Sequence, residues 1–306
     1  MNLSKKSNPD GSAPFDESDY YWPGIGHALK NKLDLDNPTE LDWAENVITK
    51  SRYAKSAYAI MQIDSHKINR LYQPQFYRKS HRDLFQDIYI WAGTYRIEEM
   101  EIPGRPTAKM HDIKQIVKNT LNMARLELEK TDSINKTAKS IAKACNQLNR
   151  AHPFRNGNGR TLMLYAAALA SAADCNLFLS YDDLRAFNKA RTDGLRNDMT
   201  TYEKLFAERL FHKSDQSELH QELKQEAKRL AETAPPIESL IEKAKQPKRN
   251  LLEIVEFDKQ RRSSTKPTKS TFAKIIDKSP RSCEDLDRAF AEIQQSQTTQ
   301  NTEYNI

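Results

Sequence analysis

An apolar stripe with helical spacing occupies the middle of the chain. Its members recur at alternating steps of four and three residues: Ile134, Ala138, Ile141, Cys145 and Leu148. This spacing predicts an amphipathic helix that ends near Ala151, because Pro153 cannot continue it. Residues 161–173 are apolar almost all round and rich in good helix formers, which predicts a second, buried helix. A short polar loop therefore joins two helices.

The loop between these helices combines a histidine, two glycines and an arginine. Residues 152–160 read His-Pro-Phe-Arg-Asn-Gly-Asn-Gly-Arg. The two glycines let the backbone adopt conformations closed to other residues and approach a ligand closely, and the second helix begins with unpaired N–H groups. We therefore expect Gly157, Asn158 and Gly159 to form an anion cradle that binds phosphate.

Two side chains of the loop carry the candidate chemistry. His152 is the only one with an ordinary pKa near neutrality, so we expect it to take a proton from an attacking hydroxyl. Arg160 supplies a permanent charge, and its planar guanidinium can chelate phosphate oxygens. Phe154 is expected to anchor the loop in the core. A base, an anion cradle and a fixed cation together suit phosphoryl or nucleotidyl transfer.

Residues 152–160 resemble the signature of the Fic family, which reads His-x-Phe-x-Asp/Glu-Gly-Asn-Gly-Arg-x-x-Arg. Residues 21–24, 29–33 and 91–96 are similar to other parts of the family's domain, so the resemblance spans about residues 20–211. It implies an all-α fold, a mainly helical bundle with a small β-hairpin flap over residues 97–110. Pro103 and Gly104 would form the turn of that hairpin.

The resemblance also implies an activity, protein adenylyl transfer. AMP would pass from ATP to a Ser, Thr or Tyr hydroxyl of a target protein, with Mg²⁺ or Mn²⁺ escorting the triphosphate. His152 would be the base and Arg160 the triphosphate clamp. Met100, Glu101 and Ile102 of the flap would hold a strand of the target through backbone hydrogen bonds. A surface hairpin without a ligand is the alternative for this segment.

Two positions depart from the family's signature. Asn156 stands where an acidic residue usually holds the metal, so it is a weaker candidate ligand and the metal affinity should fall. Met163 replaces a second arginine and can only pack. The three segments nearest to the family's inhibitory Ser/Thr-x-x-x-Glu-Gly/Asn motif, residues 94–99, 214–219 and 299–304, fail at their last position. We therefore expect no self-inhibition; a separate antitoxin-like partner acts, or none is needed.

These departures leave three functional hypotheses open. The first is an active protein adenylyltransferase, a toxin or effector enzyme. The second is a catalytically weakened Fic module that acts as a binding or secreted effector protein. The third is a Fic transferase that uses another phosphate-linked donor.

We expect the chain of 306 residues to divide into a disordered leader, residues 1–19, a domain that resembles the Fic family, residues 20–212, and a charged extension, residues 213–306. Helical spacing in the extension predicts helices over residues 212–234 and 237–244, and residues 251–257 form a short apolar patch. Residues 243–281 contain twelve Lys or Arg against four acids. This basic run could contact nucleic acid, acidic membrane or a secretion receptor, or be a solvated tail.

Other features exclude further classes of protein. Neither a membrane-spanning apolar run nor a secretory signal peptide is present in the sequence, which favours a cytoplasmic protein or one exported without a cleavable signal. Three widely spaced cysteines fit a reducing compartment. The histidines at 66, 81, 111 and 212 lack zinc-site spacing, so we expect surface or core roles for them.

Overall fold

The computed structural model describes residues 20–22, 25–63, 65–102, 105–246, 253–256, 259 and 270–278. The predicted leader, Pro23-Gly24, Pro103-Gly104 and most of the basic run lie outside these residues, as do residues 299–304. Within them the chain is mainly helical with short antiparallel strand pairs, which confirms the predicted fold class. Among the described helices, none combines the length and apolarity that a membrane crossing requires.

Ten α-helices of the described residues account for most of the fold. They are α1 Pro38–Met61, α2 Pro74–Phe85, α3 Ile113–Leu128, α4 Ile134–Ala151, α5 Asn158–Ala172, α6 Leu184–Leu195, α7 Thr200–Ala207, α8 Glu218–Glu232, α9 Ile237–Ala244 and α10 Thr271–Lys278. The 3₁₀ segments are Ser65–Tyr72, Met110–Asp112 and Tyr181–Asp183. The strands are β1 Tyr21–Trp22, β2 Ile25–Leu29, β3 Glu101–Ile102, β4 Arg105–Pro106, β5 Cys175–Leu177 and β6 Leu210–His212.

Helix α5 forms the centre of the core. Nearly all of its side chains are buried, and it packs against α1, α2, α4 and α6. The prediction of a buried helix is confirmed, although the helix starts at Asn158 rather than at residue 161, because Gly157 in a left-handed conformation serves as its N-cap. Met163 is fully buried, as expected of a residue that only packs.

Helix α4 ends where the apolar stripe predicts. Its last residue is Ala151, and the backbone N–H of His152 donates to the Leu148 carbonyl at 3.1 Å. His152 itself adopts φ = 46°, a left-handed conformation that is uncommon outside glycine. Pro153 follows and cannot extend the helix. The chain therefore turns sharply at the residue that carries the candidate base.

Strand pairing joins neighbouring and distant parts of the chain. The flap hairpin is confirmed, with Glu101 opposite Pro106 and Ile102 opposite Arg105 in an antiparallel pair, β3–β4. Strands β1 and β2 form a second hairpin. The pair β5–β6 joins segments more than thirty residues apart in sequence, and periodicity did not predict it because each strand has only three residues.

Helices α8 and α9 of the predicted carboxyl-terminal extension pack against α1, and α10 packs against α8. Ser51 on α1 donates to the Pro235 carbonyl at 2.7 Å, and Ala244 at the end of α9 belongs to the main core. The first of these helices was expected from residue 212, but His212 is part of β6 and α8 starts after its N-cap, Ser217. The helix predicted over residues 237–244 is confirmed as α9. Of residues 251–257, only 253–256 are described, and they are helical.

Candidate active site

The loop at residues 152–158 is closed by one asparagine. The side chain of Asn158 accepts from the Phe154 N–H at 2.9 Å and donates to the Phe154 carbonyl at 2.7 Å. Both residues are buried, and Phe154 anchors the loop as expected. The side chain of Asn158 therefore holds the loop together, and only its backbone N–H can contribute to an anion cradle.

His81 on α2 fixes the other side of this loop. Its Nδ1 accepts from the Gly93 N–H at 2.8 Å, so the proton lies on Nε2, which donates to the Asn156 carbonyl at 3.0 Å. The ring is stacked between Phe85 and Phe154, with centroids at 4.8 and 4.1 Å. Burial lowers the pKa of His81 to about 3. His81 is thus a neutral core histidine, one of the two roles expected for it.

The same prediction covered His66, His111 and His212. His111 and His212 are exposed surface residues, again within the expected roles. The side chain of His66 lies outside the described residues. Sequence spacing alone therefore did not distinguish His81, which contacts the candidate site, from histidines that do not.

Both glycines of the cradle are closely packed. Gly157 adopts φ = 77°, and a Cβ there would lie 2.3 Å from the Phe85 ring. A Cβ on Gly159 would lie 2.2 Å from Nη1 of Arg191, a residue of α6. The N–H groups of residues 158–160 form the first turn of α5, and no acceptor for them lies within the described residues. They are available to an anion.

His152 stands at the start of the loop as a neutral imidazole. Burial, together with the positive charges of Arg191 and Arg96, lowers its pKa to about 4. Its Nδ1 is buried, and among the described residues it has no hydrogen-bond partner of normal geometry. At neutral pH the ring is therefore free to accept a proton.

Arg160, the expected triphosphate clamp, already has a carboxylate partner. It forms an ion pair with Glu45 of α1 and lies over the Phe85 ring, with its guanidinium carbon 4.7 Å from the centroid. Burial acts to lower the pKa of Arg160, but the charge of Glu45 outweighs it and the pKa is raised. The positive charge of Arg160 is thus largely neutralised within the protein.

Glu45 is a functional candidate that the sequence reasoning missed. It is buried, pairs with Arg160, and accepts hydrogen bonds from the Tyr89 hydroxyl and from Nδ2 of Asn156, the latter at 2.7 Å. A signal was present in the sequence, because Glu45 falls between Leu41 and Ile48 on the buried face of α1. An acid at such a position requires a buried partner.

Asn156, the weak metal candidate, is fully engaged by its neighbours. Its Oδ1 accepts from the Gly157 N–H at 2.7 Å and its Nδ2 donates to Glu45. Glu45 in turn is used by Arg160, so no free carboxylate faces the cradle from these residues. Mg²⁺ binds through free carboxylates, phosphates and water. The residues therefore do not form a ready-made magnesium site, and the described part of the chain holds no cluster of three His, Cys, Asp or Glu.

Arg96 connects the flap to the loop. Its backbone N–H donates to the Pro153 carbonyl at 2.8 Å, and its Nε donates to the His152 carbonyl at 2.9 Å. Its other guanidinium nitrogens donate to the Glu98 carbonyl at 2.6 Å and the Thr107 hydroxyl at 2.9 Å, on the two sides of the hairpin. One buried arginine thus fixes the flap relative to His152.

Of the expected target-binding residues, Glu101 and Ile102 form β3, and Met100 immediately precedes this strand. Thr107 donates from its hydroxyl to the Met100 carbonyl at 2.6 Å, and the side chain of Glu101 is exposed. For Ile102 only the backbone is described. Within the described residues β3 pairs with β4 alone, which leaves its other edge open.

This chain is similar in sequence and in fold to known Fic proteins. A model of the Fic/DOC family matches residues 71–170. A probable protein adenylyltransferase of Sinorhizobium fredii is 30% identical over 162 residues, which are 51% of this chain and 77% of the relative. The BepC effector protein of Bartonella tribocorum with bound AMPPNP superposes with a TM-score of 0.53 at 21% identity, covering 63% of this chain and 96% of that one. A Fic domain of Bartonella quintana with bound ADP gives a TM-score of 0.52 at 21% identity, covering 64% and 95%.

Proposed function

Because the chain belongs to the Fic/DOC family, we propose that it is a protein adenylyltransferase that transfers AMP from ATP to a Ser, Thr or Tyr hydroxyl of a target protein. One observation carries the proposal. His152, neutral and partly buried, shares a nine-residue loop with the unpaired N–H groups at the start of α5. Two curated relatives, from Sinorhizobium fredii and Escherichia coli, are named probable protein adenylyltransferases.

The chemistry follows from these groups. The target's hydroxyl oxygen attacks the α-phosphorus of ATP while His152 takes the hydroxyl proton. The new bond joins that oxygen to phosphorus, the bond from the α-phosphorus to the bridging oxygen breaks, and pyrophosphate leaves with the electron pair. The N–H groups of Gly159 and its neighbours hold phosphate oxygens as charge shifts between them. His152 afterwards releases its proton to solvent.

Two features support ATP as the donor. The cradle suits a phosphate chain, and proteins of similar fold from two Bartonella species were solved with AMPPNP and with ADP. A bound triphosphate would also raise the pKa of His152 from about 4 toward neutrality, because its negative charge favours the imidazolium. That shift would improve proton transfer at physiological pH. No step in this scheme depends on a metal.

The flap is proposed to hold the target. A target strand pairing with the open edge of β3 would be bound by backbone groups of Met100, Glu101 and Ile102. Arg96 links this strand pair to the His152 carbonyl, so a hydroxyl on the bound strand would be presented at a fixed distance from the base. Side chains of the flap would then select the target sequence.

A second candidate, a weakened module that binds without turnover, is favoured by a specific observation. Arg160 is paired with Glu45 and Asn156 is occupied by its own loop, so two expected donor contacts are already used. In that case the basic run, or an antitoxin-like partner, would determine what the protein does. The two candidates differ in whether any labelled product forms.

The test is transfer of label from ATP radioactive at the α-phosphate. Purified protein is incubated with cell lysates in Mg²⁺ and, separately, Mn²⁺, beside His152→Ala and a matched control, His212→Ala, whose side chain is exposed on β6. We expect labelled protein bands with the wild type and the control, and none with His152→Ala. Bands of equal strength in His152→Ala would refute the role of the base, and no band with either metal would favour the binding module.

A further inference from the structure

A second arginine, Arg191, lies at the cradle on a helix outside the loop. It belongs to α6, and its Nη1 occupies the space beside Gly159 that a methyl group would need, 2.2 Å from the position of such a Cβ. Gly159 is the second residue of α5, where the N–H groups are unpaired. The guanidinium is therefore adjacent to the unpaired N–H groups of a helix start, a position that favours anions.

The guanidinium is held in this position by neutral groups. Its Nε donates to Oδ1 of Asn149 at 2.9 Å, and its Nη1 donates to Oδ1 of Asn188 at 2.8 Å. Asn149 is itself buried and donates back to the Arg191 carbonyl at 3.1 Å. Two amides thus orient the planar group without neutralising its charge, which pre-organises it for a ligand.

Arg191 and Arg160 differ in their counter-ions. Arg160 pairs with the buried carboxylate of Glu45, whereas across the described residues no carboxylate forms an ion pair with Arg191. Burial lowers the pKa of Arg191, as it does for a cation removed from water without a compensating anion. The charge of Arg191 also acts on His152, because among the charged groups it lowers the pKa of His152 most.

We propose that Arg191 is a phosphate-binding cation of this site, where Arg160 is paired with Glu45 and position 163 holds a methionine. A phosphate of the donor would lie between the guanidinium and the first N–H groups of α5. The bound anion supplies the negative charge that no described carboxylate provides to Arg191. The inference rests on the proposed function for the identity of the donor, while the anion site itself is a property of this chain's own residues.

The test measures binding of inorganic pyrophosphate, the anion that the transfer would release, by calorimetry. We expect Arg191→Gln to weaken binding by roughly tenfold to hundredfold, the cost of losing charge-assisted hydrogen bonds. Arg191→Lys should recover part of the affinity, because it keeps the charge without the fork geometry. Arg185→Gln, an equal charge change at an exposed position of α6, is the matched control and should bind as the wild type does.

A second variant provides a test that does not depend on the folding of Arg191→Gln. Asn188 is exposed, so Asn188→Ala should fold and yet free the guanidinium from one of its two amide contacts, weakening pyrophosphate binding several-fold. The proposal is overturned if folded Arg191→Gln binds pyrophosphate as tightly as the wild type, or if the wild type does not bind it. Arg191-dependent binding without any adenylyl transfer would leave this site standing and reject the proposed activity.

Discussion

The buried ion pair between Glu45 and Arg160 provides the sharpest test of how the loop is held. The perturbation is Glu45→Gln, which keeps the shape of the side chain and removes its charge. Only 4% of the Glu45 side chain and 15% of the Arg160 side chain are exposed. The substitution therefore leaves a guanidinium in the protein interior with no counter-ion.

The magnitude follows from these contacts. Removing one partner of a buried ion pair costs about 3–5 kcal/mol, because the other charge stays buried. Glutamine keeps an oxygen that can accept from the Tyr89 hydroxyl, which retains about 1 kcal/mol. We therefore expect the free energy of unfolding to fall by about 2–4 kcal/mol, and Tm by about 4–16 °C for a domain of this size.

The assay is urea unfolding followed by circular dichroism, with a matched control at a surface ion pair of the same helix. Lys50 of α1 forms a surface ion pair with Asp182, and these side chains are 54% and 44% exposed. Asp182→Asn should therefore cost no more than about 1 kcal/mol. A double variant, Glu45→Gln with Arg160→Met, should recover part of the loss because the unpaired charge is gone.

A loss in Glu45→Gln no larger than that in Asp182→Asn would refute this reasoning. So would a double variant that is less stable than Glu45→Gln by the full cost of a second independent substitution. Either result would mean that Arg160 is solvated or finds another partner.

Two further predictions concern the same loop. Gly157→Ala should destabilise the protein by about 2–5 kcal/mol, since φ = 77° is strained for alanine and its methyl would overlap the Phe85 ring; chemical unfolding measures this, and a loss below about 1 kcal/mol would contradict it. The pKa of His152 is about 4 in the folded protein and near 6.5 in the unfolded chain. The stability that the neutral ring contributes is therefore full above about pH 6.5 and is lost as the pH falls toward 4, by at most about 3 kcal/mol. The difference in unfolding free energy between the wild type and His152→Ala, measured against pH, isolates this contribution, and a pH-independent difference would refute it.

Local sequence patterns predicted the helix ends and turns that depend on neighbouring residues. The apolar stripe and Pro153 predict the end of α4 at Ala151, and glycine spacing indicates the turn into α5. Residues 97–110 contain the flap hairpin as the family resemblance implies. These features depend on neighbours within a few positions, so a single sequence contains the necessary information.

The rest of the site depends on contacts between distant segments. Glu45 meets Arg160 across 115 positions, and His81 meets the Asn156 carbonyl across 75. Arg191 of α6 is oriented beside the cradle by the amides of Asn149 and Asn188, and no spacing rule describes these contacts. Local sequence patterns identify the loop but not the residues around it, because packing of α1, α2 and α6 against α5 decides which charges are neutralised.

Two labels on ATP distinguish adenylyl transfer from phosphoryl transfer. Wild type and His152→Ala are incubated with target lysate and ATP labelled either at the α-phosphate or at the γ-phosphate. Adenylyl transfer predicts that the α-label becomes covalently attached to protein, that the γ-label does not, and that His152→Ala attaches neither. Attachment of the γ-label instead would indicate phosphoryl transfer, and α-label that persists in His152→Ala would contradict the assignment of His152 as the base.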